Sequence, residues 1–202
     1  MTYPEAVKLL KERKTLRITV SGDIGSGKST FSKHLATELD VPRIYIGQFM
    51  REEAKARELS LDEFNKLLEE DDEIDRLMDQ KTHDASVKEE KGVFEGRVAW
   101  HFTVEPNAKV FLSVNPNVSA ERIWNEKGDA LRDTYASVAD LKAANKERKK
   151  SEEARYHQYY DISAYDKKNF DIVIDTSEIG IDEVFEQTVI AIAEHIALDK
   201  KG

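Results

Sequence analysis

The 202 residues predict an α/β fold, a parallel sheet with helices on both faces. Three observations predict it. Strand-like segments alternate with helix-like segments along the chain. Several strand segments are apolar almost throughout, the pattern of strands covered on both sides. A glycine-rich turn joins the first strand directly to a helix. The length suits one domain, residues 1–202, with a small inserted region, and is enough to enclose a sizeable core.

Thr2 and Pro4 start an opening helix that runs to about Arg13. Thr15 to Ser21 alternates apolar and polar residues with β-branched side chains, a strand. Phe31, Leu35 and Leu39 give Ser29–Leu39 a helical spacing. Arg43 to Ile46 is a short strand and Gly47 to Glu58 a helix. Ser60 and Glu63 form a capping-box signature for the next helix, and a long helix follows from Asp71 to Lys88. Gly92–Glu95 and Ala108–Val114 are strands, Val118–Lys127 a helix. Gly128 to Ser163 keeps a helical spacing with little apolar content, which suits a mobile lid better than core. Asp171–Asp175 is a buried-type strand, and Ile181–Leu198 closes with an amphipathic helix.

The glycine turn carries the chemistry. Gly22, Gly27, Lys28 and Ser29 match G-x-x-x-x-G-K-[ST], between a strand and a helix. Glycines let successive backbone N–H groups curl into an anion nest, and the helix adds its positive dipole end. Lys28 would reach the β- and γ-phosphates, and the Ser29 hydroxyl would ligate Mg²⁺. The dinucleotide pattern G-x-G-x-x-G does not fit, because the glycines stand at 22, 25 and 27. A guanine-reading NKxD is missing, since Asn65-Lys66 is followed by two leucines. That disfavours a switch GTPase.

Phosphoryl transfer needs positive charge around the moving group. Arg51 follows the second strand. Arg97 follows the third, where side chains converge at the carboxyl edge of an open sheet. Arg148 and Arg155 are seven apart, about two helical turns, so they share a face.

With these residues in view, the chain resembles the nucleoside-monophosphate kinases, most of all cytidylate kinases of the archaeal type. The matching stretches are GDIGSGKST, YIGQFMR, VFEGR, ERI at 121–123, RKKSEEARY at 148–156 and YDISAYDKKNFDIVIDTS at 160–177. The resemblance implies the P-loop NTPase fold with five parallel strands. It divides the chain into a core (14–46, 92–127, 170–198), a monophosphate-binding region (47–91) and a lid (128–163). It implies an ATP site from Gly22, Asp23, Ile24, Gly25, Ser26, Gly27, Lys28, Ser29 and Thr30, with Arg122 over the adenine. Gly47, Arg51, Arg97 and Glu152 would hold the acceptor monophosphate, CMP or dCMP. Lys28, Arg97, Arg148 and Arg155 would act on the transferring group. Ser29, and Glu95 through water, would hold Mg²⁺.

The pattern departs at named positions. Tyr45 and Ile46 replace small residues, Gln48 an acidic one, Val98 an aspartate of bacterial relatives, and Asp161 a glycine. Ser163 stands at an acidic position, and the opening helix is not part of the usual core. These departures fall beside the base and the lid, away from the phosphates. Alternatives therefore stay open: another monophosphate such as UMP or AMP, a different small metabolite, or an ATP-binding regulatory protein that uses RYHQYYDISAY as an interface.

Other residues carry plainer readings. Glu152 is either a ribose contact or an i,i+4 partner of Arg148. The run Glu69, Glu70, Asp71, Asp72 cannot share one helix face and reads as helix-start acid rather than metal ligands. Trp100 and Trp124 read as core or interface fillers, and His101 has no ligand partner at metal spacing.

Composition limits the partners. A net charge of −9 disfavours general nucleic-acid binding. No cysteine is present, which fits a reducing cytoplasm and excludes thiolate metal sites. The N-terminus lacks the apolar stretch of a signal peptide, and no run approaches membrane-helix length. The expectation is a cytoplasmic monomer.

Overall fold

Alternation along the first strand decides how the sheet is covered. In β1 (Leu16–Gly22), Leu16, Ile18 and Val20 are fully buried on one side, with Thr19 and Ser21 on the other. Four strands join it in a computed structural model that describes residues 1–60, 63, 64, 66, 67, 72–126 and 135–199. They are β2 (Arg43–Tyr45), β3 (Lys91–Glu95), β4 (Ala108–Ser113) and β5 (Ile172–Asp175). All pairs are parallel, in the order β2-β3-β1-β4-β5, so the expected five-stranded sheet is present. Val20 is in register with Glu95, the last residue of β3, on one side and with Val110 on the other, so β1 and β4 run on together past the end of β3.

The described helices are α1 (Tyr3–Lys11), α2 (Lys28–Leu39), α3 (Ile46–Ala56), α4 (Asp72–Lys88), α5 (Ala99–Phe102), α6 (Pro116–Asn125), α7 (Val138–Tyr160) and α8 (Ile181–Asp199). On one face, Leu10 of α1, Leu35 of α2 and Val189 and Ile192 of α8 pack on Leu16, Ile18 and Val20. On the other, Ile44, Phe94 and Ala99 form one cluster, and Val98, Tyr156 and Ala164 another. The Phe111 and Phe170 rings meet there at 4.8 Å.

Several boundaries differ from the sequence reading. β2 stops at Tyr45, because extended Tyr45 (φ −124°) leads into α3 with no turn between. β1 runs on to Gly22, whose φ of 151° and close approach to the Leu112 carbonyl leave no room for a Cβ. α6 starts two residues before Val118: Pro116 opens it, and the Asn115 side chain accepts the Asn117 N–H at 2.9 Å. α5 and a 3₁₀ turn at Lys167–Asn169 were not foreseen, being too short to show a period. The Ser60–Glu63 box forms in both directions, at 2.8 and 3.2 Å. Most of the helix it opens, the acidic run at 69–71 and residues 127–134 lie outside the described residues.

From 138 onward the polar stretch is a single 23-residue helix, α7. Ser137 caps it by accepting the Asp140 N–H at 3.1 Å. Asp161 ends it in the left-handed region (φ 54°), the position where the family resemblance expects glycine. Aspartate tolerates that conformation better than most residues.

Candidate active site

The turn after β1 is pinned from outside as well as shaped by its glycines. The Asp23 N–H reaches the Leu112 carbonyl at 2.9 Å, and the Ser119 hydroxyl donates to the Ile24 carbonyl at 2.6 Å. Gly27, left-handed at φ 84°, lets α2 begin at Lys28 with its first N–H groups facing the cleft. The Lys28 Nζ folds back onto the Asp23 carbonyl at 2.8 Å. Burial, then the neighbouring Arg97, pushes the Lys28 ammonium well below its ordinary pKa. A phosphate group there would favour the charged form and so offset both effects.

Across the cleft stands a buried charge network. The Arg97 Nη1 donates to the Gly22 carbonyl at 2.7 Å, and its Nε to Glu152 Oε2 at 2.7 Å. The other Glu152 oxygen accepts from Arg148 Nε at 3.0 Å, and the Tyr165 hydroxyl also donates to Glu152. Burial opposes the Glu152 charge, but Arg97 and Arg148 outweigh it and hold the carboxyl far below the usual range. Burial likewise opposes the Arg97 charge, and Glu152 more than restores it. Burial pushes the Tyr165 phenol up, so it stays a donor.

One cavity of about 930 Å³ joins these groups. Its walls include the whole turn from Ile24 to Thr30, Arg51 and Gly47 from α3, Glu95 at the end of β3 and Arg97 just after it, and Arg122 from α6. Arg148, Glu152 and Arg155 of α7 close it. The cations picked from widely separated stretches, Arg51 and Arg97 among them, therefore line one cavity. Arg51 Nη1 donates to the Tyr45 hydroxyl at 2.9 Å, and the Tyr45 ring covers Gly47, where a Cβ would overlap it. Arg122 is anchored on Thr176, with Nη2 2.6 Å from its carbonyl. Arg155 and Arg148 share the cavity, but Arg155 is buried while Arg148 is half exposed.

Ser29 and Glu95 also meet. Nη2 of Arg43 lies 2.6 Å from the Ser29 hydroxyl and 2.6 Å from Glu95 Oε2. The two oxygens thus converge on one cationic atom, a donor set that suits a hard divalent ion.

The model of the cytidylate kinase-like family matches residues 17–178. The chain belongs to the cytidylate kinase-like family. It is 34% identical to a cytidylate kinase of Pyrococcus abyssi over 170 residues, 84% of this chain and 90% of that one. It is also 34% identical to a cytidylate kinase of Natronomonas pharaonis over 180 residues, 87% and 90% of the two chains. Among solved structures, shikimate kinase from Bacteroides thetaiotaomicron superposes with a TM-score of 0.61 at 18% identity, covering 91% of this chain and 99% of that one. The Aquifex aeolicus shikimate kinase gives 0.54 at 21%, with the same coverage. These structures share the kinase fold.

Set within that family, the site corrects some sequence expectations. Trp124 is not a core filler: it is 46% exposed and lines the cleft. Trp100 does pack inward, edge-on to Phe170. The tyrosines left open as an interface turn inward too, with Tyr156, Tyr160 and Tyr165 packed around Val98 and Ala164. His101 sits among Trp100, Phe102 and Tyr160, where burial lowers its pKa. Sequence reasoning missed Arg43, Tyr165 and Lys149, whose Nζ lies 2.6 Å from Asp23 Oδ1. Arg43 alone carried a signal, as a cation opening the short second strand. No described helix is long and apolar enough to cross a membrane.

Proposed function

We propose that the chain transfers the γ-phosphoryl group of ATP to the phosphate of cytidine monophosphate or its deoxy form. The observation that carries the reading is Arg97, joined both to the Gly22 carbonyl of the phosphate turn and to Glu152 of α7. A protein that only clamps a triphosphate has no use for a cluster of arginines beside the phosphate turn. The relatives' name supplies cytidine as the base.

In this reading the turn and Lys28 bind the donor's phosphates, and Arg122 lies over its base. Arg51, Arg97 and Gly47 bind the acceptor phosphate, and Arg148 and Arg155 neutralise charge on the group in transit. Glu152 gives up part of its hold on Arg97 and Arg148 as the phosphates arrive, and can then meet the acceptor's ribose. The acceptor oxygen is already anionic, so the transfer needs alignment and neutralisation rather than a strong base. Ser29 and Glu95 are the residues that would hold Mg²⁺, whose role is to neutralise the donor's β- and γ-oxygens. In this reading α7 closes over both substrates and keeps water from the donor.

The test is ADP formation from ATP with CMP, dCMP, UMP, AMP and GMP in parallel. CMP or dCMP should give the highest turnover. UMP or AMP winning outright removes the cytidine assignment, and no stimulation by any acceptor removes the kinase.

A further inference from the structure

Arg43 leaves β2 on the same face as Tyr45 and crosses that ring, its guanidinium carbon 4.5 Å from the centroid. It ends between two oxygens from different elements. Nη2 is 2.6 Å from the Ser29 hydroxyl at the start of α2, and 2.6 Å from Glu95 Oε2 at the end of β3. Nε adds a second bond to the same carboxylate oxygen at 3.0 Å. Glu95 is only 3% exposed. A carboxylate this deep needs a cation beside it, and Arg43 supplies one.

Ser29 and Glu95 are the pair assigned above to magnesium. A divalent ion on the Ser29 hydroxyl, with a water between it and Glu95, would need the space that Nη2 of Arg43 fills between those two oxygens, and the two cations would repel each other. Arg43 therefore withdraws from that space when metal enters.

We propose that Arg43 is a resident counter-ion of the metal position, a positioning residue that holds Ser29 and Glu95 until metal arrives on the donor's phosphates. The inference rests on the metal role of Ser29 and Glu95. It makes metal alone a weak competitor, because displacing Arg43 costs two charge-assisted bonds to Glu95. Metal carried by a triphosphate brings further attractions from the turn and Lys28. A guanidinium freed in this way stays tethered to β2 over the Tyr45 ring, at the edge of the cleft.

An ordinary structural ion pair would behave differently. Its loss would lower stability without changing what the site binds. The discriminating measurement is Mn²⁺ binding to nucleotide-free protein, followed by electron paramagnetic resonance, in wild type, Arg43→Gln, Arg43→Lys and Glu95→Gln. Two charge-assisted hydrogen bonds lost as competitors should tighten Mn²⁺ binding about tenfold or more in Arg43→Gln. Arg43→Lys, which keeps a cation on a shorter stem, should fall between and serves if the glutamine variant melts too low. Mg²⁺ alone should also raise the melting temperature of Arg43→Gln more than that of wild type. Unchanged or weaker Mn²⁺ binding in both Arg43 variants, with loss of binding in Glu95→Gln, overturns the proposal and leaves the metal reading standing. No change in any variant overturns both.

Discussion

Truncating Glu152 tests the central network most directly. The carboxylate is 8% exposed and the Arg97 side chain 16%. In Glu152→Ala, Arg97 would keep the Gly22 carbonyl but lose its counter-charge. Leaving one member of a buried pair uncompensated costs about 3–5 kcal/mol. Arg148 adds little to that figure, being 47% exposed and screened by water. At this chain length each kcal/mol shifts the melting temperature by about 2–4 °C, so the expected fall is about 6–20 °C by calorimetry without ligands. ATP analogue and CMP together should recover much of the loss, since phosphate would take the place of the carboxylate. A double variant, Arg97→Met with Glu152→Met, should be more stable than Glu152→Ala alone, because no charge is then stranded. A single-variant fall of under about 4 °C, roughly 1 kcal/mol, would refute the claim that Glu152 neutralises Arg97.

Three further outcomes follow from the same geometry. The Glu152 carboxyl is held far below its reference value of 4.5, so its contribution to stability is complete above that pH and shrinks as pH falls towards the folded value. Glu152→Gln should therefore flatten the acid limb of a stability–pH curve below about pH 4.5, a difference that urea titrations at several pH values would resolve. Lys28 is the reverse case: its lowered pKa means that burying the charge costs folding energy, so Lys28→Met should melt higher than wild type without ligand while its turnover drops by a few orders of magnitude. Gly47→Ala should destabilise by about 1–3 kcal/mol through overlap with the Tyr45 ring and raise KM for the acceptor. In a Tyr45→Ser background the same change should be neutral or stabilising, since alanine favours helix over glycine by about 1 kcal/mol.

The sequence made the frame legible because its signals are local. Alternation in 15–21, the spacing of Phe31, Leu35 and Leu39, and the glycine turn each lie within a dozen residues. Arg51 and Arg97 could be placed because the carboxyl ends of parallel strands share one edge. Pairings across distance were not visible. Glu152 offered an obvious partner four residues away in Arg148, and its buried partner Arg97 lies 55 residues off. Arg43 entered the sequence reading only as the first residue of a short strand. Its reach to Ser29 and Glu95 depends on β2 pairing with β3, which no local pattern encodes. The tyrosines of 156–165 looked available to a partner because their apolar neighbours, Val98 and Phe102, belong to a different stretch.

The placement of Trp124 gives the cleft a fluorophore of its own. The chain has two tryptophans. Trp100 packs edge-on to Phe170, whereas Trp124 lines the cleft together with Arg122, beside the donor's base in the proposed reading. With Trp100 replaced by Phe, emission from the remaining indole becomes a label-free signal of donor occupancy. Stopped-flow recordings of that signal separate arrival of the donor from the steps that come after it.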